Sequence, residues 1–153
     1  MHKVDIKHRI LEILSKDKRI RFAYVFGSFV HGQRYRDIDI GIYSEPELAL
    51  LDIGKLTGQL TDAVSSEVDL VQLNGLPDKN PEFAYRIVTE GELILDNNPE
   101  LHTHFKKTAF LYYFDTEYLR KQINGAFKKR LQSDRFGGRN YARATAPVGN
   151  LYF

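Results

Sequence analysis

Two carboxylates, Asp37 and Asp39, stand two positions apart at the start of an apolar run that continues through Ile40 and Ile42. Successive side chains of a β-strand point to opposite faces, so both carboxylates share one face, with Cα atoms roughly 6.5 to 7 Å apart. Two like charges this close repel each other unless a cation lies between them. Mg²⁺ fits such a site, because it binds one or two carboxylates and keeps its other positions for water and substrate phosphate.

A Gly27-Ser28 pair separates these carboxylates from an earlier apolar run over residues 20–26. Apolar run, glycine-bearing turn and second apolar run predict a strand, a turn and a strand. Glycine lets the backbone come close to a ligand, and the free N–H groups of a following helix start favour an anion. We therefore expect one side of the site to hold metal and the other to hold a triphosphate.

The flanking sequence predicts the helices and strands that position this site. Apolar periodicity and turn residues predict helices over residues 4–14, 81–90 and 98–131, and strands over residues 20–26, 37–43, 68–73 and 92–96. A further helix is predicted to begin at Ser44 as N-cap, with Pro46 in its first turn. Its expected inner face carries apolar side chains, namely Leu48, Leu51, Leu56, Leu60 and Val64. The alternation of strands and helices indicates an α/β (α+β) fold.

The last predicted helix, long and amphipathic, is either continuous or broken near Gly125. One face carries an aromatic and apolar stripe, which consists of Phe105, Phe110, Leu111, Phe114, Tyr118, Leu119, Ile123 and Phe127. This stripe is either core or, in part, a docking surface for a partner protein, since an apolar face larger than a small sheet can cover becomes an interface. We expect one domain over residues 1–131 and a flexible tail over residues 132–153, where periodicity is lost.

Gly27-Ser28 followed by Asp37-x-Asp39 resembles the signature of the DNA polymerase beta-like nucleotidyltransferases, in particular the minimal nucleotidyltransferase (MNT) domain found beside HEPN-domain toxins. That family has a third carboxylate on a later strand, and Asp69 stands at the corresponding position. The resemblance covers residues 20–95 and, more loosely, the helical segment to Leu131. It implies a mixed nucleotidyltransferase sheet flanked by helices, with a C-terminal helical segment. The spacer before Asp37 is shorter than is usual in the family, which suggests a shortened helix or loop.

The resemblance also implies roles for these residues. Asp37 and Asp39 would bind a Mg²⁺ that clamps the triphosphate, and both, with Asp69, would hold a second ion that lowers the pKa of the attacking hydroxyl. Asp69 is the candidate to accept the hydroxyl proton, while Gly27 and Ser28 hold the β- and γ-phosphates. The implied reaction is nucleotidyl transfer from ATP or another NTP. Taken alone, Asp69 could instead be a solvent-facing strand residue, so the prediction depends on the whole set.

Three identities for the acceptor or partner remain open. By resemblance, the acceptor is a tyrosine hydroxyl on a cognate HEPN toxin, which makes the chain an antitoxin that AMPylates its partner and can form a hetero-oligomer with it. The first alternative is a small-molecule nucleotidyltransferase of the aminoglycoside-modifying kind. The second is a non-catalytic module that neutralises a toxin by occlusion.

Other charged and ligating residues give weaker indications. Arg34 and Arg36 either neutralise triphosphate charge or pair with Asp37, two interpretations with equal support. A zinc site is not expected, because the chain has no cysteine and His102 and His104, two positions apart on a helix, do not share a face. The absence of cysteine and of a long apolar run favours a cytoplasmic protein without a membrane span. The formal net charge of +2 does not point to a nucleic-acid partner.

Overall fold

The structure is a computed structural model that describes residues 2–132, with side chains described to residue 125. Its helices are α1 (Lys3–Ser15), α2 (Ser28–His31), α3 (Leu50–Val64), α4 (Leu76–Lys79), α5 (Pro81–Glu90) and α6 (Pro99–Gln132). Its strands are β1 (Ile20–Phe26), β2 (Asp37–Ser44), β3 (Glu67–Gln72) and β4 (Glu92–Asp96). No helix in this part of the chain is both long and apolar enough to cross a membrane.

The four strands form one mixed sheet in the order β3-β2-β1-β4. Strand β1 pairs antiparallel with β2 and with β4, whereas β2 pairs parallel with β3. The predicted α/β (α+β) class with a mixed sheet is confirmed. Because β1 and β2 are the two central strands, the segment that joins them, which contains Gly27 and Ser28, leaves the sheet at its middle.

The two faces of the sheet are covered by different helices. Helices α1 and α3 cover one face, where the buried side chains include Ile10, Val25, Ile40 and Leu60. Helices α5 and α6 cover part of the other face, and a second core forms there from Phe22, Tyr24, Phe26, Leu73, Ile87 and Phe105. Alternation along β2 puts Ile38 and Ile40 on the first face, so Asp37 and Asp39 lie on the second.

The predicted start of α3 at Ser44 is wrong. Ser44 is the last residue of β2, fully buried, and α3 begins at Leu50. The side-chain amide of Asn74 donates to the Ser44 carbonyl at 2.8 Å, and its oxygen accepts from the Ser44 N–H at 3.1 Å. Ser44 is thus held in the sheet by a residue 30 positions away, an effect that local helix signals do not contain.

Leu51 is also not on the inner face of α3, since 69% of it is exposed. The buried residues of α3 are Leu56, Leu60 and Val64. At 3.6 residues per turn, Leu51 lies about 140° around the helix from Leu56, which directs it to solvent.

Helix α6 runs through Gly125 without a break. Phe105 of its aromatic stripe is buried in the second core, whereas Leu111, Phe114 and Tyr118 are each more than half exposed. The side chain of Phe127 and the predicted flexible tail beyond Gln132 lie outside the described part of the chain. Within that part, the stripe is core at its beginning and surface further on.

Candidate functional site

The turn after β1 brings the backbone against Asp39. Gly27 has φ 78° and ψ −155°, a region that is essentially restricted to glycine. A Cβ atom at Gly27 would meet the Oδ2 atom of Asp39 at less than van der Waals distance. The turn therefore brings the backbone close to the Asp39 carboxylate, whereas close approach of a triphosphate to Gly27 stays a prediction.

The second and third carboxylates are brought together by strand register. Asp39 of β2 lies opposite Asp69 of β3 in the parallel ladder, and Phe26 of β1 lies opposite Asp39 on its other side. Side chains opposite each other in a parallel pair point to the same face, so Asp39 and Asp69 are neighbours on the face that α5 and α6 leave partly open. Asp37, two positions before Asp39, shares that face and pairs with Glu67 in the same ladder.

A cleft of about 470 Å³ lies between this end of the sheet and α5. The sheet and its turn contribute one wall, and one face of α5 contributes the other. The residues that line it are Phe26, Gly27, Asp39, Asp69, Val71, Phe83, Arg86, Ile87 and Glu90. Asp37 is not among them.

The carboxylates carry unbalanced negative charge. Partial burial, followed by the charges of Asp69 and Asp37, raises the pKa of Asp39 above its usual range. None of the three carboxylates takes part in a salt bridge within residues 2–125. The Oδ1 atom of Asp37 is buried and has no hydrogen-bond partner. The site is therefore short of positive charge.

The donor set fits a hard cation such as Mg²⁺, because it consists of carboxylate oxygens and includes one buried oxygen without a partner. The side chains are not closed around a common point, since in the described residues no group of three or more His, Cys, Asp or Glu is arranged to hold a metal ion. The three carboxylates are thus candidate ligands without a finished coordination geometry, which is the arrangement expected if substrate and water complete the shell.

The segment after Gly27 is a single short helix, α2, as the shortened spacer predicted. Phe29 anchors it in the core and packs edge-on against Tyr35, with ring centroids 4.8 Å apart. Lys3 of α1 donates to the Gly32 carbonyl at 2.5 Å, and a ring nitrogen of His31 lies 2.7 Å from the Glu90 carbonyl. Ser28, at the start of α2, is exposed. Contacts with α1 and α5 therefore hold this turn in place, while Ser28 stays exposed to solvent.

Arg34 and Arg36 are exposed residues of the connection between α2 and β2. Neither forms a salt bridge with Asp37 in the described residues, and neither lines the cleft. The surface pairing with Asp37 is therefore not found, whereas contact with a triphosphate remains a prediction.

His102 is a buried structural residue. Its Nε2 atom lies 2.5 Å from the hydroxyl of Tyr24, and its Nδ1 atom lies 3.4 Å from a carboxylate oxygen of Asp96. Burial lowers the pKa of His102 and, with a contribution from Asp96, raises the pKa of Tyr24 to about 12. This buried cluster fastens the first turns of α6 to β1 and β4.

Sequence reasoning missed the wall formed by α5. The sequence predicted a helix over residues 81–90, but the polar residues Arg86 and Glu90, which lie on the same side as Phe83 and Ile87, received no role. The spacing of three between Phe83 and Arg86 and of four between Arg86 and Glu90 puts all of them on one side of a helix. The sequence therefore contained the spacing that puts these residues on one helix face. It did not contain the tertiary packing that places this face opposite the carboxylates.

Comparison with known families bears on this arrangement. The polymerase beta nucleotidyltransferase family matches residues 8–100, a range that contains the whole sheet, the Gly27-Ser28 turn and all three carboxylates. The chain belongs to this family. A nucleotidyltransferase domain is therefore established, and the resemblance seen in the sequence is confirmed.

One similar protein is the protein adenylyltransferase MntA of Shewanella oneidensis, which is 26% identical over 109 residues, or 69% of this chain and 76% of that protein. Among solved structures, a toxin–antitoxin complex with AMP-PNP matches with a TM-score of 0.66 and 23% identity, covering 80% of this chain and 98% of the matched chain. A tri-AMPylated Shewanella oneidensis HEPN toxin in complex with an MNT antitoxin matches with a TM-score of 0.65 and 22% identity, covering 83% and 99%. At these identities the structural matches show the shared fold.

Proposed function

We propose that this chain is an antitoxin of the MNT type, which transfers AMP from ATP to a tyrosine hydroxyl of a cognate HEPN-domain toxin in the cytoplasm. Family membership supplies the nucleotidyltransferase chemistry. The similar protein is named a protein adenylyltransferase, and the similar structures are toxin–antitoxin complexes that include an ATP analogue and an AMPylated toxin. These likenesses favour a protein acceptor over a small molecule.

The observation that carries the proposal is the pairing of Asp39 with Asp69 across the parallel ladder, beside Gly27 and in one cleft. On this proposal Asp37 and Asp39 would hold one Mg²⁺, and both, with Asp69, would hold a second. Bound there, the ions would neutralise triphosphate charge and make the acceptor hydroxyl easier to deprotonate. The raised pKa of Asp39 and the unpaired oxygen of Asp37 fit this role, because both conditions are relieved by a cation.

The reaction balances with groups of this chain and its substrates. The tyrosine oxygen attacks the α-phosphorus of ATP, a new P–O bond forms, and the bond between the α-phosphorus and its bridging oxygen to the β-phosphate breaks. Asp69 accepts the hydroxyl proton, since it lies on the edge strand β3 and is more exposed than Asp39. Gly27 and Ser28 hold the β- and γ-phosphates with backbone N–H groups and the serine hydroxyl, and pyrophosphate leaves.

Co-expression with the toxin tests the proposal. The toxin is purified after co-expression with the wild-type chain or with Asp69→Asn, and its mass is measured. Wild type should add about 329 Da for each AMP transferred, whereas Asp69→Asn should add none yet still bind the toxin. Asp78→Asn, at an exposed position of α4, is the matched control and should behave as wild type.

Two outcomes would contradict the proposal. An unmodified toxin that the wild-type chain nevertheless silences would establish neutralisation by occlusion. Full modification by Asp69→Asn would remove Asp69 from the proton-transfer step and from the metal ligands.

A further inference from the structure

The two walls of the cleft differ in charge, because the sheet wall is acidic whereas the α5 wall carries one group of each sign, Arg86 and Glu90. The sheet wall presents Asp39 and Asp69, and the α5 wall presents Arg86, the one Lys or Arg among the described residues that line this cleft. We propose that Arg86 binds phosphoryl oxygens of the nucleoside triphosphate and is a further triphosphate-binding residue of this site. The inference rests on the proposed function, because it requires a triphosphate in the cleft.

The position of α5 directs Arg86 toward the triphosphate end of the cleft. His31, in the helix that follows Gly27-Ser28, contacts the carbonyl of Glu90 at 2.7 Å, so the C-terminal end of α5 lies against the phosphate turn. Arg86 is four residues before Glu90 on the same helix face, or about 6 Å along the axis from it. Within this cleft, a guanidinium there can reach phosphates held by the turn.

The close fit of α5 against β1 keeps this wall in place. A Cβ atom at Gly91 would collide with the Ile87 carbonyl and come within 3.2 Å of the Val25 carbonyl. The end of the helix is therefore in direct backbone contact with the strand that leads into Gly27. A substitution at Arg86, an exposed residue, is therefore expected to leave the helix that carries it in place.

The present partner of Arg86 does not compete strongly with phosphate. Its guanidinium lies 3.6 Å from a carboxylate oxygen of Glu82, and both side chains are 61% exposed. Exposed ion pairs of this kind contribute little, because solvent screens them. A triphosphate offers oxygens that match the planar, two-pronged geometry of guanidinium, which a lysine cannot reproduce. Binding would therefore exchange a weak surface pair for charge-assisted hydrogen bonds.

Calorimetric titration with a non-hydrolysable ATP analogue in Mg²⁺ tests the inference on the full chain. Arg86→Gln should weaken binding about tenfold or more, the loss expected for hydrogen bonds to a charged group, and Arg86→Lys should recover only part of it. Arg120→Gln, an exposed position of α6, is the matched control, and Glu82→Gln separates loss of the surface pair from loss of phosphate contact. Arg36→Gln measures the contribution of the loop before β2.

Three results would overturn the inference. Equal affinity of Arg86→Gln and wild type for the analogue would show that Arg86 does not touch the triphosphate. An unchanged nucleotide affinity with a raised KM for the toxin would assign the α5 wall to the protein acceptor instead. If wild type itself does not bind the analogue, the proposed function fails as well, which distinguishes that failure from the other two.

Discussion

Replacing Asp39 by asparagine should stabilise the metal-free protein while abolishing transfer. The substitution keeps the size and most hydrogen-bonding capacity of the side chain but removes one of two negative charges that face each other across β2 and β3. Because no cation pairs with these carboxylates in the described residues, Asp39 contributes repulsion without a compensating attraction. Stability and activity should therefore change in opposite directions.

The magnitude follows from the strand spacing. Neighbouring strands lie about 4.8 Å apart, and two unit charges at that separation repel by about 0.9 kcal/mol in water and about 3.5 kcal/mol at an effective dielectric constant of about 20. The cleft is open to solvent, so we expect a gain of about 1 to 2 kcal/mol in the free energy of unfolding. For a chain of this length, each kcal/mol raises Tm by about 2 to 4 °C.

The stability gain of Asp39→Asn over the wild type should increase with pH. The pKa of Asp39 is raised in the folded protein, so the folded state binds this proton more tightly than the unfolded state does. The free energy of unfolding of the wild type therefore falls as pH rises from the unfolded pKa of about 3.9 through the folded pKa. The amide that replaces this carboxyl does not titrate, so the advantage of Asp39→Asn should vanish at low pH and be complete above the folded pKa.

Thermal denaturation by circular dichroism, with EDTA and at several pH values, measures this difference. Asp62→Asn, on the exposed surface of α3, is the control and should change stability by less than about 0.5 kcal/mol. Mg²⁺ in place of EDTA should raise the Tm of wild type more than that of Asp39→Asn, because ligand binding to the folded state stabilises it. A loss of more than about 1 kcal/mol at neutral pH without Mg²⁺ would refute the reasoning, since it would reveal a stabilising partner of Asp39.

Three further predictions concern the turn, the buried cluster and the exposed stripe. Gly27→Val should cost about 1 to 3 kcal/mol through backbone strain and displace Asp39, so chemical denaturation and calorimetry with an ATP analogue should both show losses; unchanged affinity would put the phosphate cradle elsewhere. Tyr24→Phe should cost about 1 to 3 kcal/mol because it leaves the buried Nε2 atom of His102 without a partner, and a loss below about 0.5 kcal/mol would contradict this. Tyr118→Lys, at a position 62% exposed, should weaken capture of the toxin in a pull-down assay but leave ATP binding intact, whereas the control Leu50→Lys, 88% exposed on α3, should change neither; equal capture by both would exclude the stripe as the interface.

Elements with strong local signals at both ends could be predicted from the sequence. Helix α5 begins at Pro81, where the Asn80 side chain accepts from the backbone N–H of Phe83, and ends before Gly91. Strand β1 ends at Phe26, because the backbone conformation of the following Gly27 stops the strand. The carboxylate arrangement on the sheet followed from the period of two along β2, because alternation fixes which side chains share a face.

What the sequence could not provide depends on contacts between distant residues. The sequence around Ser44 has the features of a helix N-cap. In the structure, however, the backbone of Ser44 forms hydrogen bonds with the Asn74 side chain, and Ser44 pairs with β1 in the sheet. The division of the α6 stripe into buried Phe105 and exposed Tyr118 depends on how far the small sheet extends beneath the helix. The role proposed for Arg86 depends on the position of α5 across the cleft from Asp39. The residue pattern along α5 does not predict that position.

The position of the acids in the sheet explains how the fold tolerates them. Asp39 lies on a central strand, with hydrogen-bonded neighbours on both sides, and the opposite face of that strand is anchored by the fully buried Ile38 and Ile40. Gly41, next on the acidic face, lies so close to Leu73 that a Cβ atom there would be 2.8 Å from its side chain, so the second core begins directly after the acids. Repulsion between the carboxylates is thus confined to the end of a sheet that packing on both faces holds in place. Since packing holds the backbone in place, the repulsion is relieved by protonation of Asp39 at low pH, and on the proposed function it would be relieved at neutral pH by a bound cation and the phosphates it carries.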